Sequence, residues 1–81
     1  MDLQDIFKSV EAEHNHSLRK HGKWIDKPKN EQFEAIDEEI GEWKSAAKRH
    51  DIYGEHGEVA EAIQVMNVMA RRIMYLTGED Q

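Results

Sequence analysis

Asn30-Glu31-Gln32-Phe33-Glu34-Ala35-Ile36-Asp37-Glu38-Glu39-Ile40-Gly41-Glu42-Trp43-Lys44-Ser45-Ala46-Ala47 is the stretch on which the fold reading turns. Phe33, Ile36, Ile40, Trp43 and Ala47 recur at alternating spacings of three and four, which lays one apolar stripe along a helix. The expected helix runs over about 31 to 49, with Asn30 as its N-cap and Glu31 and Glu34 at the positive end of its dipole. On that helix Glu39 lies beside the stripe, Glu42 one step further round, and Glu38 more toward solvent.

Outward from this segment, Gly22-Lys23-Trp24-Ile25-Asp26-Lys27-Pro28-Lys29-Asn30 lacks helical periodicity and holds the single proline, so it reads as a connection. Before it, Leu3, Ile6, Phe7, Val10 and Leu18 give a patchier stripe and a first helix over about 2 to 21. After the central stretch, His50-Asp51-Ile52-Tyr53-Gly54 reads as a turn, and a third helix is expected over about 55 to 76, with Gly78 placed to end it. Its apolar residues spread over two faces: Val59, Ala62, Ile63, Met66, Met69, Ala70 and Ile73 on one, Val65, Val68 and Leu76 near a second. That is more apolar surface than two short partner helices cover, so the second face is expected to meet another subunit. The class is all-α: a single domain over residues 1–81, a three-helix chain forming an antiparallel helical bundle completed by oligomerisation into a homodimer or homotetramer.

The composition agrees. A chain of 81 residues has a thin core, and with no cysteine neither disulfides nor a thiolate metal site can reinforce it. With 11 Lys+Arg against 17 Asp+Glu the formal charge is −6, which speaks against duplex nucleic acid as a partner. No apolar run is long enough to span a bilayer, and the acidic start Met1-Asp2-Leu3-Gln4-Asp5 is unlike a signal peptide, so no membrane partner and a cytoplasmic location are expected.

The acids carry the chemistry. Glu39/Glu42 and Glu58/Glu61 stand three apart on two successive helices, a spacing that puts each pair on one face. Carboxylates bordering apolar stripes need a cation or hydrogen bonds to compensate them; four that converge need a cation, and oxygen-only clusters suit hard ions, Mg2+ first, with Mn2+ in its place as the variant. Mg2+ in turn is commonly completed by phosphates and water. Arg19, Lys20 and Lys23, with Trp24 beside them, read two ways: cations for phosphates and an indole for a base, or a helix end matching its own dipole with Trp24 packed under the loop. Arg71 and Arg72 fit the dipole reading, and Asn67 fits a polar strip facing water with Gln64 and Arg71. The five histidines, His14, His16, His21, His50 and His56, show no helical pair spacing and read as surface groups.

Three segments together resemble the MazG-like, all-α nucleoside triphosphate pyrophosphohydrolases, particularly their short phage-type members. Glu13-His14-Asn15-His16-Ser17-Leu18-Arg19-Lys20-His21-Gly22 is similar to that group's polar first helix, although histidines stand where arginine is common. Glu38-Glu39-Ile40-Gly41-Glu42 matches the family's Glu-Glu-x-x-Glu metal motif, and Glu58-Val59-Ala60-Glu61-Ala62-Ile63-Gln64-Val65 resembles its second acidic motif. That second motif usually ends in Asp; the matching position here is Glu61 if Glu58 opens it, or Gln64 if Glu61 does. The resemblance implies Mg2+-dependent cleavage of a nucleoside triphosphate between the α and β phosphates, giving a monophosphate and pyrophosphate. It implies Glu39, Glu42, Glu58 and Glu61 as metal ligands, Glu38 as base or outer group, and Lys20, Lys23 and Trp24 as nucleotide contacts. The competing expectations are a non-catalytic acidic helical protein that binds a nucleotide or a protein partner, and a helical oligomer whose acids are plain solvated surface.

Overall fold

The computed structural model describes residues 1–79. The chain is all-α, with helices α1 (Leu3–His21), α2 (Lys29–Lys48) and α3 (Glu58–Leu76), a 3-10 turn at Trp24–Asp26, and no strand among the described residues.

Each boundary has a local cause. Helix α1 opens on a reciprocal pair of caps: the Asp5 N–H donates to Asp2 Oδ1 at 2.9 Å, and the Asp2 N–H donates to Asp5 Oδ2 at 3.3 Å. It closes at Gly22, whose φ of 74° suits a residue without a Cβ and whose N–H donates to the Leu18 carbonyl at 3.0 Å. Helix α2 starts before the expected Asn30 cap. Pro28 occupies the cap position, without a side-chain capping bond, and Asn30 already lies within the helix. The physical reason is the proline: it holds Lys27 extended (φ −94°, ψ 122°) and so forbids an earlier start, and the Gln32 N–H closes the first turn on its carbonyl at 3.0 Å.

Helix α3 starts later than the pattern implied, because Glu55–Gly57 belong to the α2–α3 connection. The Gly54 N–H donates to Asp51 Oδ1 at 3.0 Å, while the Glu58 and Val59 N–H groups donate to the Asp51 and Ile52 carbonyls at 2.7 and 3.1 Å. The loop therefore caps the helix with its own backbone. Gly57 is required by close approach: a Cβ there would stand 2.8 Å from the Gly54 nitrogen and 2.9 Å from the Ile52 oxygen. The far end stops as expected, with Gly78 at φ 80° and the Glu79 N–H on the Met74 carbonyl at 2.8 Å.

Helix α3 is the centre of the fold, and α1 and α2 both pack on it. Side-chain bonds fix the directions. Gln32 meets Arg72 and Arg49 meets His56, so α2 is antiparallel to α3; Ser17 meets Asn67 and Gly22 meets Arg71, so α1 runs parallel to it. The buried apolar residues among those described are Trp24, Ala46 and Val68, and α1 buries none of its residues. The face of α3 turned inward is not the one the apolar pattern indicated. Glu61, Asn67, Val68 and Arg71 are buried, whereas Met66, Met69, Ile73 and Leu76 are exposed. On α2, Phe33 of the expected stripe is likewise exposed, with the Lys29 and Arg72 cations 5.6 and 5.2 Å from its ring centre. No helix among the described residues is long and apolar enough to cross a membrane.

Candidate metal centre and cleft

Antiparallel packing of α2 on α3 brings Glu39 and Glu42, one helical turn apart, against Glu61. One carboxylate oxygen from each lies within 4.8 Å of the other two. Glu61 is 7% exposed, and Glu39 Oε2 is buried without a hydrogen-bond partner. Burial first, then the Glu42 and Glu61 carboxylates, a hydrogen bond with Glu42 and the charge of Glu38, push the Glu39 carboxyl up to about 7. Such a group titrates near neutrality, where a bound cation would compete with its proton. Three oxygens on two rigid helices suit a hard divalent ion such as Mg2+ or Mn2+.

Glu39 and Glu61, with Glu38, line one end of a cleft of about 1180 Å3 between α1 and α2, floored by α3, while Glu42 lies outside its wall. Its other end is basic, with Lys20, His21 and Lys27 on the wall and Arg71 beneath. A ligand lying along this cleft meets a cation site at one end and positive charge at the other. The volume suits a small-molecule ligand of nucleotide size. A second hollow of about 680 Å3 opens on the outer side of the acids, between Glu38, Gly41, Glu42 and Ser45 of α2 and Arg49, His56 and Glu61.

The sequence-expected residues fall into two groups. Glu39, Glu42 and Glu61 converge, and Glu38 is exposed beside them on the lip of both cavities. Glu58 is half-buried in the first turn of α3 and stands outside the converging group; Gln64, one turn beyond Glu61, lies in the cleft wall instead. Lys20 lines the cleft, whereas Lys23 is exposed on the following turn and lies outside its wall. Trp24 is 3% exposed, with the Arg71 guanidinium 5.4 Å from its ring centre. Trp24 lines the cleft, but one ring face is already taken by a protein cation.

Four polar residues do more than the sequence pattern indicates. Asn67, expected on a water-facing strip, is 2% exposed and donates from Nδ2 to Ser17 Oγ at 3.1 Å. Arg71, expected at the surface, is 3% exposed and donates to the Gly22 carbonyl. Gln32, to which the sequence reading gave no role, is fully buried: Nε2 donates to the Lys27 and Trp24 carbonyls at 2.9 and 3.4 Å, and Oε1 accepts from Arg72 at 2.8 Å. Gln32, Glu39 and Ala46 recur every seven residues along α2, a line that marks its innermost edge. His56, read as a surface group, lines both cavities, and its Nδ1 stands 3.5 Å from Glu61 Oε1.

Comparison of the chain with protein-family models, with curated proteins and with solved structures gives no match.

Proposed function

We propose that this protein is a divalent-cation-dependent hydrolase of nucleoside triphosphates, cutting between the α and β phosphates. The observation that carries the reading is the convergence of Glu39, Glu42 and Glu61, with a buried, unpartnered carboxylate oxygen on Glu39, where Glu39 and Glu61 line one end of a nucleotide-sized cleft whose other end is basic. The resemblance of Glu38-Glu39-Ile40-Gly41-Glu42 to the MazG-like metal motif supports it from the sequence side.

In this reading Glu39, Glu42 and Glu61 hold Mg2+ or Mn2+. When bound, the ion neutralises phosphate charge at the point of cleavage. Glu38, exposed beside the three acids, takes a proton from the attacking water; the water oxygen bonds to the α phosphorus and pyrophosphate leaves. Lys20, on the α1 wall, is the basic group placed to meet the ligand. Lys23 and Trp24 contribute less, the first by lying outside the wall and the second by its packing against Arg71.

The protein acts as a homo-oligomer in this account. Met66, Met69, Ile73 and Leu76 are exposed at the three-four-three spacing of a helix–helix seam, and a second copy covers them.

The test is pyrophosphate release from a panel of nucleoside triphosphates with Mg2+ or Mn2+. Turnover in the wild type, lost in Glu39→Gln and Glu42→Gln with helicity retained, is expected. Unchanged turnover in both variants removes these acids from the site. Nucleotide binding without turnover or cation dependence favours a non-catalytic binding protein.

A further inference from the structure

Between the acids and the basic end, α3 turns four polar residues to the cleft beside Ala60, Ile63 and Val68. Glu61, Gln64, Asn67 and Arg71 follow one another along the cleft, and three of the four are buried. Asn67 has a buried side-chain amide that is only half satisfied. Its Nδ2 is committed to Ser17 on α1, and its Oδ1 is buried with no partner, although the residue forms part of the cleft wall. A buried amide oxygen left unpaired is unfavourable and uncommon in a folded protein, and a ligand that supplies a donor removes the deficit.

The position says which part of a ligand arrives there. Asn67 is six residues beyond Glu61, about 9 Å further along the axis of α3. A carbonyl oxygen repels phosphate oxygens, so the polyphosphate stays with the acids and their cation. The group reaching Asn67 is the nucleoside, through an N–H of its base or an O–H of its sugar. Resting on the nucleotide reading above, we infer that Asn67, held in place by Ser17, is the residue that selects the nucleoside of the bound nucleotide by accepting a hydrogen bond from it. A site built around a polar partner rejects ligands that lack it far better than an apolar pocket rejects a misfit, so this amide sets specificity.

The experiment measures, by calorimetry with Mg2+ present, the affinities of inorganic tripolyphosphate and of non-hydrolysable α,β-imido nucleoside triphosphates carrying each base on ribose and on deoxyribose. The full chain is compared with Asn67→Ala and with Ser17→Ala, which frees the amide while keeping it. The wild type is expected to prefer one base or one sugar by about tenfold or more, Asn67→Ala to bring that preference within about twofold, and Ser17→Ala to weaken it. Tripolyphosphate should bind all three proteins alike. Collapse of the base preference identifies a base N–H as the donor; collapse of the sugar preference identifies a sugar hydroxyl. A wild type without preference, a preference that survives both substitutions, or a loss of tripolyphosphate binding in Asn67→Ala would each overturn the inference and leave the cation site standing. A wild type that binds no tripolyphosphate overturns the nucleotide reading, and the inference with it. If Asn67→Ala loses its helical circular dichroism, the Ser17→Ala comparison decides the matter.

Discussion

His56 Nδ1 stands 3.5 Å from Glu61 Oε1, so the loop that caps α3 also reaches the buried acid of the candidate metal centre. The loop side of this contact is anchored, because Arg49 Nη2 donates to the His56 carbonyl at 3.2 Å. Groups that orient a ligating carboxylate commonly change cation affinity by about ten- to a hundredfold when removed. With the imidazole 80% exposed, the effect belongs at or below the low end of that range. His56→Ala should weaken Mn2+ binding by up to about tenfold in a calorimetric titration, with helicity unchanged. Equal affinities would show that His56 does not position Glu61.

Glu39 gives the site a pH dependence of known sign. Its carboxyl is raised from 4.5 to about 7 in the folded chain, so between these values the native state binds more protons than the unfolded state. Stability without metal should therefore be greatest below about pH 4.5 for this group and fall as pH rises through about 7. Because the carboxylate is partly solvated, the loss is on the order of 1–2 kcal/mol rather than the full linkage value. Urea unfolding of the metal-free protein against Glu39→Gln should show the variant gaining relative stability from pH 5 to pH 8, and Mg2+ should restore the wild type at the upper end. A pH-independent difference contradicts the assignment.

Gln32 ties α2 to the Trp24 turn and to α3 at once. Gln32→Leu would remove the acceptor of Arg72 and the donor to the Lys27 and Trp24 carbonyls in a fully buried position. Leaving such groups unpaired costs about 1–3 kcal/mol, which a shift in the urea midpoint would report. A neutral substitution would mean that these groups find water instead.

Much of the fold is legible in the sequence, and most of the misreadings concern which helix face turns inward. Helix number, order and the end of α3 at Gly78 follow from apolar spacing and glycine placement. The inward faces do not. A wheel assigns the apolar side to the core, yet α3 lines a polar cleft with Glu61, Asn67 and Arg71 and leaves Met66, Met69 and Ile73 outside. Within the site, Glu39 and Glu42 were readable because both lie on one helix at fixed spacing. The choice between Glu58 and Gln64 was not, since it depends on how α3 is rotated against α2. Asn30 misled because the backbone constraint of Pro28 outweighs a capping side chain.

The exposed stripe of α3 yields its own prediction. If a second copy covers Met66, Met69, Ile73 and Leu76, Met69→Glu with Ile73→Glu should shift sedimentation equilibrium from an oligomer to a monomer and lower the melting temperature. A wild-type chain that is monomeric at micromolar concentration would remove the oligomer from the account.

The most direct measurement is an anomalous difference map from crystals grown with Mn2+. A peak is expected between the carboxylates of Glu39, Glu42 and Glu61, with oxygen ligands at about 2.0–2.2 Å by analogy with other small divalent ions. An empty centre at saturating Mn2+, with the three acids still side by side, would contradict that expectation.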